Sequence, residues 1–594
     1  MPLPTYQKRL SFFTEQSQNL QKRLRFLSGI RLFSFLGALG FFYLYFKFDY
    51  PLLILPAIIL FGFFFYLIRY YDQQKRKLDI SKALVEINQT EISLLMGHPS
   101  PYEGGKEYID PQHPYSYDLD LFGERSLFHH INRTTTLAGK EQLSYSLLIT
   151  DKDSIPEKQK AIYELNSQVE FRQEIQASGL IHLEEEKNIS SLKKWLSKEP
   201  VFKKKTVYYL LCVFPVITVL CLIIFFVTGS PLFKSLSGLL FVINLGISFS
   251  FFKPIMGTLS VSSDISKTLQ QFAEQLLLIE NASWKSSLLL QLQSTLGRDS
   301  KKSSGAIEKL ASLFNYLDIV FNIFVSPILN GLFLFHVHVL YRMDRWKETY
   351  GTQVANCIDV IGKVEAMNSL ANLHFNNPDF TIPELTEEED LTAVELGHPL
   401  IKREKRICNS LSFKEKRFVI LTGSNMSGKS TFLRTLGINL VLARAGAAVC
   451  AQSFRFYPYD VFVSMRITDS LQDSESFFYA ELKRLHSIIE HIQQGNKTFI
   501  LLDEILRGTN SNDKHSGTIG LIRKLVAGRA TGIIATHDLT VGALTNEYPN
   551  YLANRCFESE IINDELVFDY KIKEGVCSKL SASFLMKKMG IIEG

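Results

Sequence analysis

Three short stretches of this 594-residue chain carry residue types at spacings that suit chemistry on phosphates. The first, "GSNMSGKS" (423–430), fits the pattern G-x-x-x-x-G-K-[S/T] in full. Its glycines let the backbone N–H groups of Gly423, Ser424, Asn425, Met426, Ser427 and Gly428 turn inward on phosphate oxygens. A helix opening at Lys429, Ser430 and Thr431 adds the partial positive charge of its N-terminus. In this pattern Lys429 reaches the β and γ phosphates, and the Ser430 hydroxyl sits on Mg²⁺. The second stretch, "TFILLDE" (498–504), is an apolar run that delivers two acids to its end. Asp503 is expected to hold Mg²⁺, and Glu504 to orient or deprotonate an attacking water. The third, "GIIATH" (532–537), ends in His537, placed to sense a γ phosphate. Together they point to ATP and Mg²⁺ as ligands and to ATP hydrolysis as the reaction.

Such residues need strands and helices to aim them. Beyond the polar, acidic linker "NNPDFTIPELTEEED" (376–390), short β-rich runs alternate with helical patterns, which predicts a parallel sheet with crossover helices. Upstream the chain is mostly helical and contains four long apolar runs: 26–46, 51–68, 207–227 and 235–252. Each is near the 20 or so apolar residues that a bilayer crossing needs. They pair into two hairpins with very short turns. Lys22, Arg23 and Arg25 precede the first run, and Arg69, Lys75, Arg76 and Lys77 follow the second. Lys203, Lys204 and Lys205 precede the third, and Lys253 follows the fourth. The positive-inside rule then puts both termini and every long segment in the cytoplasm. A fifth apolar run, 319–340, contains Pro327, two asparagines and two histidines. A fifth crossing would carry the phosphate loop away from cytoplasmic ATP, so this run is expected to be a buried or membrane-surface helix.

The expected fold is therefore α and α/β. Its parts are an N-terminal helix with the first hairpin (1–75), a cytoplasmic helical segment (76–204), the second hairpin (205–254), a helical lever with linker (255–389) and an ATPase domain (390–594). An apolar content of 46% and a charged content of 21% argue against long disordered tails. The net charge of +5 neither demands nor excludes nucleic acid. Seven cysteines without a CxxC pair argue against a zinc site or a disulfide framework and fit a reducing compartment.

The order of phosphate loop, acidic strand and strand-end histidine resembles the ABC-type ATPases. The surrounding words narrow the resemblance to the MutS family of DNA mismatch repair ATPases. "TGSNMSGKSTFLRTLGINLVLARAGAAVCA", "DEILRGTNSND", "THDLTVGAL" and "SESFFYAELKRL" are each similar to a segment of that family. The likeness is dense from Val394 to about Thr545 and loose over 118–180 and 255–375. It implies that two copies face each other and that Ser476, on the signature serine, completes the partner's site. Glu481 falls on the signature glutamate. There are departures: Ser424 replaces the loop proline, Ser474 the signature glycine and Phe477 a threonine. On this resemblance the family's N-terminal mismatch-reading domain is expected to be absent, and its C-terminal dimerisation region missing or much reduced. The expectation is a membrane-anchored, homodimeric MutS-like ATPase, with DNA open as a partner and mismatch recognition not expected. The alternatives are an ABC-type transporter-like ATPase and an ATP-sensing membrane scaffold without DNA binding.

Overall fold

The structure, a computed structural model, describes residues 2–149, 151–181, 186–259, 265–297, 302–424, 426–466, 477–506, 509–562, 565–577, 586 and 591–592. It opens with two long antiparallel helices, α1 (Pro2–Phe48) and α2 (Ile54–Leu95). Ser34 Oγ donates to Leu60 O at 2.9 Å, and the Arg23 guanidinium meets the Tyr70 hydroxyl. No glycine or proline interrupts residues 63–95, so α2 passes residue 75 without a break and continues into the helical body. There Leu84, Ile87, Asn88 and Glu91 are buried.

Between the hairpins lie α3 (Leu127–Ile131), α4 (Leu137–Leu148), α5 (Ile155–Ser167), α6 (Val169–Leu180) and α7 (Glu186–Ser197). The second hairpin is α8 (Lys205–Thr228) and α9 (Pro231–Ser250), turned by Gly229 in the left-handed region at φ +67°. Among the described residues four helices, Pro2–Phe48, Pro51–Leu95, Lys205–Thr228 and Pro231–Ser250, are long and apolar enough to cross a membrane. The body continues with α10 (Phe252–Leu259), α11 (Ile265–Asn281), α12 (Ser287–Thr295), α13 (Ser303–Asp318), α14 (Val325–Phe333), α15 (Phe335–Tyr350) and α16 (Gln353–Asn376). The run 319–340 is thus not one helix. It breaks after Asp318 and again at Leu334, whose φ of +49° is left-handed. α16 is the central rod of the body, buried at fifteen positions from Val354 to Leu373. Glu365 lies inside it and accepts hydrogen bonds from the backbone and hydroxyls of Thr135 and Thr136.

The C-terminal part is α/β, with elements β1 (Glu384–Leu385), β2 (Leu391–Leu396), β3 (Asn409–Ser412), β4 (Phe418–Gly423), α17 (Lys429–Arg444), β5 (Ser453–Phe456), β6 (Asp460–Ser464), α18 (Phe477–Gln493), β7 (Thr498–Asp503), α19 (Ser511–Ala527), β8 (Thr531–Thr536), α20 (Leu544–Glu547), β9 (Leu552–Ile562) and β10 (Glu565–Glu574). One sheet has the order β1-β5-β2-β3 and the other β10-β9-β4-β8-β7-β6. In the larger sheet every pairing is parallel except β9 with β10. β4, β7 and β8 are buried at every residue, because both faces of the sheet are covered. The expected linker is partly absorbed: β1 pairs with β5, and Thr381 bridges Val449. The α/β unit therefore begins upstream of residue 390.

Candidate functional site

The registers Thr422↔Thr536 and Asp503↔Ala535 bring the C-terminal ends of β4, β7 and β8 to one edge of the sheet. All three chemically suggestive stretches leave the sheet there. Residues 423–428 turn tightly from β4 into α17. A Cβ on Gly423 would lie 2.8 Å from Ser427 Oγ and 2.9 Å from Phe557 O, so no larger residue fits without a shift. Gly428 caps α17 at φ +100°, a conformation that favours glycine. Met426 also has positive φ, +67°, and its side chain is exposed.

Lys429 is buried and folds back over its own loop, with Nζ donating to the carbonyls of Gly423 and Ser424, both at 2.9 Å. Burial lowers its pKa, opposed by the charges of Glu504 and Asp503. Ser430 Oγ donates to Asp503 Oδ2 at 2.5 Å. The other oxygen, Asp503 Oδ1, is buried and has no hydrogen-bond partner among the described residues. A hydroxyl touching a carboxylate with one oxygen left over is a donor set that fits a hard, oxygen-seeking divalent cation. Ser424 Oγ and Ser427 Oγ are likewise buried without partners among the described residues.

Glu504 takes the left-handed φ of +49°, and its N–H donates to Ala535 O at 3.0 Å. That anchor turns the side chain out of the strand end, and Oε1 lies 2.5 Å from His537 Nε2. The same His537 nitrogen is 3.4 Å from Lys429 Nζ. The expected residues Gly423, Ser424, Met426, Ser427, Gly428, Lys429, Ser430, Thr431, Asp503, Glu504 and His537 therefore converge at one sheet edge. Asn425 and Ser476 lie outside the described residues.

Other parts of the site carried little sequence signal. A cleft of about 430 Å³ beside the loop is walled by Leu396, His398, Ile401, Ile407 and Asn409 on one side and by Phe557 and Tyr570 on the other. Asn409 ties these walls together, donating to Tyr570 O at 3.0 Å and accepting from Ile572 N at 2.8 Å. Burial, helped by the charges of Arg434 and Arg406, pushes the His398 pKa down to about 4, so this ring is neutral near pH 7. The first wall falls inside the dense likeness of 394–545 but in none of its quoted segments, and Tyr570 lies outside it.

A second missed residue is Asp118, fully buried on the loop before α3. Its Oδ1 accepts the N–H groups of Met465 and Arg466, both at 2.7 Å, and its Oδ2 accepts Arg484 Nη2 at 2.6 Å. Burial raises its pKa, against the opposing pull of Arg484 and the two amides. Next to it, Leu119 fills the space above Gly437 on α17. One turn earlier in α18 than Arg484, Glu481 is buried and accepts the N–H of Leu506, just past β7.

The family model for MutS domain V matches residues 419–589. The DNA mismatch repair protein MutS of Thermotoga maritima is 29% identical over 240 residues, 39% of this chain and 29% of that protein. MutS protein homolog 4 of Homo sapiens is 28% identical over 254 residues, 41% of this chain and 25% of its own length. The DNA mismatch repair protein MutS of Leptospira interrogans is 32% identical over 227 residues, 36% of this chain and 26% of that protein. The chain thus matches less than a third of the length of these relatives. The matched region contains β4, α17, β7, β8 and the residues gathered at their ends. Residues 419–589 therefore carry a match to MutS domain V, and these relatives support membership of the MutS family.

Proposed function

We propose that this protein is a membrane-anchored ATPase that binds ATP and Mg²⁺ at residues 423–431 and hydrolyses ATP at a site shared by two copies. The observation that carries the reading is the meeting of Lys429, Ser430–Asp503 and Glu504–His537 at the aligned ends of β4, β7 and β8. In this reading the loop amides and Lys429 hold the phosphates of the substrate, with Lys429 exchanging its two carbonyl partners for phosphate oxygens. Ser430 and Asp503 hold Mg²⁺, which when bound neutralises phosphate charge. Glu504 takes the proton of the attacking water, and His537 fixes the direction of its carboxylate. The ABC-type P-loop assignment rests on the loop pattern and the parallel strand order.

One chain supplies one phosphate loop, and the resemblance assigns its cover to Ser476 of a second copy. Two membrane hairpins would hold both copies in one plane and raise their effective concentration. ATP would then drive closure of the pair. The relatives from Thermotoga maritima and Leptospira interrogans are named as DNA mismatch repair proteins, which makes DNA the first cargo to test. Measuring ATP turnover of the detergent-purified protein with duplex, branched and single-stranded DNA decides whether DNA engages it.

The composite site has its own test. Ser476→Arg is expected to bind ATP without hydrolysing it, and Lys429→Ala to lose binding. Mixed, they restore one working site per heterodimer, because each damages a different half. Heterodimers that form yet stay inactive would refute the shared site.

A further inference from the structure

Residues 319–335, which run from the end of α13 through α14 to the start of α15, carry no charged side chain. The segments Ser303–Phe321 and Val325–Phe333 meet at a bend of 110°. At its tip Phe321, Ile323 and Phe324 are 68%, 79% and 81% exposed. Adjacent large apolar side chains at that exposure are unusual on a water-facing surface.

Several backbone groups of this elbow find partners within it. Asn322 Oδ1 accepts the N–H groups of Phe324 and Val325, at 3.1 and 3.0 Å. At the far end of α14, Asn330 Nδ2 donates to Ser326 O at 3.0 Å, and Asn330 Oδ1 accepts His336 N at 3.1 Å. Internal pairing of irregular backbone is what a medium without water requires.

The element also sits against the second hairpin at depth. Asn244 Nδ2 donates to Gly331 O at 2.8 Å and to Thr218 Oγ1 at 3.0 Å, binding α14 to both α9 and α8. The Phe241 ring lies on Gly331, where an added Cβ would come within 2.2 Å of it. Asn244 and Phe241 are six and nine residues before the end of α9 at Ser250. At 1.5 Å per residue those contacts lie about 9 and about 14 Å inside the helix end, well within a hydrocarbon core of about 30 Å. The chain returns at the start of α8, where Tyr208 bonds His338 Nδ1 at 2.9 Å and stacks on Tyr341 at 3.5 Å. Tyrosines of this kind favour the membrane–water boundary.

We infer that the α13–α14 elbow is a re-entrant membrane element: its tip, from Phe321 to Ile328, lies among lipid acyl chains without crossing the bilayer. This rests on the reading of α8 and α9 as membrane spans. It leaves the number of crossings even, so the α/β unit stays on the side of the N-terminus.

The test uses full-length protein in which the two half-buried cysteines are removed by Cys212→Ser and Cys408→Ser. Into it go Phe324→Cys at the tip, Leu220→Cys in mid-α8 or Tyr145→Cys on α4, each labelled with an environment-sensitive fluorophore. Vesicles of phosphatidylcholine and phosphatidylglycerol with brominated acyl chains supply the quencher. Leu220→Cys and Phe324→Cys are expected to be quenched and Tyr145→Cys not, with Ile323→Cys repeating the Phe324 result. Quenching at position 220 alone overturns the elbow and leaves the spans intact. No quenching at either position overturns the spans as well. If unquenched Phe324→Cys instead forms disulfides between copies, the tip is covered by a second chain and the inference fails.

Discussion

At the scale of single residues, the site separates holding phosphate from activating water. Glu504 is anchored through Ala535 and His537, while the cation-type pair Ser430–Asp503 forms without it. Glu504→Gln is therefore expected to keep nucleotide affinity while turnover falls about 10²–10⁴-fold, the usual range for a lost general base. Equal turnover in both proteins would remove Glu504 from that role. Lys429→Ala is expected to weaken ATP binding at least tenfold, because hydrogen bonds to charged groups contribute about 1.5–3 kcal/mol. The depressed pKa of Lys429 adds a pH dependence. Phosphates bind the protonated amine, so affinity is highest below the depressed pKa and falls as pH rises through it. Fluorescent-nucleotide titrations from pH 7 to 10 should show that fall beginning below the range of an ordinary lysine. A flat profile would mean that Lys429 does not meet the phosphates.

Elements are joined by buried charges that no short motif announces. Asp118 pins residues 465 and 466 on one side of the segment 467–476 and Arg484 of α18 on the other. Among the described residues its hydrogen bonds go to none of those at the phosphate loop. Asp118→Asn should thus leave ATP affinity intact while turnover drops, and the double variant Asp118→Asn/Arg484→Gln should lose little more than either single one. Additive losses would show that the two side chains act separately. At the other end of the body, Glu91 of α2 pairs with Arg133 and accepts from Asn372 and Asn376 of α16. Tyr6 of α1 donates to the same asparagines. Burial alone would raise the Glu91 pKa, but the charge and hydrogen bonds of Arg133 and both asparagines carry it below the ordinary value. This contribution is complete above the ordinary carboxyl pKa near 4.3 and is lost as pH falls through the depressed value. Glu91→Gln strands a buried guanidinium and should cost about 3–5 kcal/mol. Thermal unfolding in detergent between pH 7 and 3 checks both the size and the acid-side loss, which the variant should lack.

For the whole molecule, the two hairpins and the α/β unit share a continuous helical body: α2 enters it from the first hairpin, and α16 leads to the first strands. If both hairpins cross the membrane, reagents outside the cell should label cysteines placed in the turns near Tyr50 and Ser230. Reagents inside should label positions near Asp390 and in 98–113. Outside labelling at Asp390 would make the α13–α14 elbow a full crossing and invert the proposed topology.

Local order explains what was legible in the sequence. The glycine loop, the strand before it and the helix after it are neighbours in sequence, so residue type alone predicts that Lys429 and Ser430 open a helix, and the apolar runs before them predict that Asp503, Glu504 and His537 stand at strand ends. Apolar runs of sufficient length likewise marked the four hairpin helices before any packing was known. Packing over long sequence distances settled the rest. The cleft wall needs β10 folded back so that Tyr570 meets Gly428 and Asn409. Asp118 becomes a hub only when its loop is wedged between α17 and α18. The run 319–340 has the composition of one helix, but Asn322 and Asn330 satisfy the backbone of two breaks, and Asn244 captures the half-helix between them. Such bends depend on hydrogen-bond partners supplied by other segments, and a linear pattern does not contain those partners.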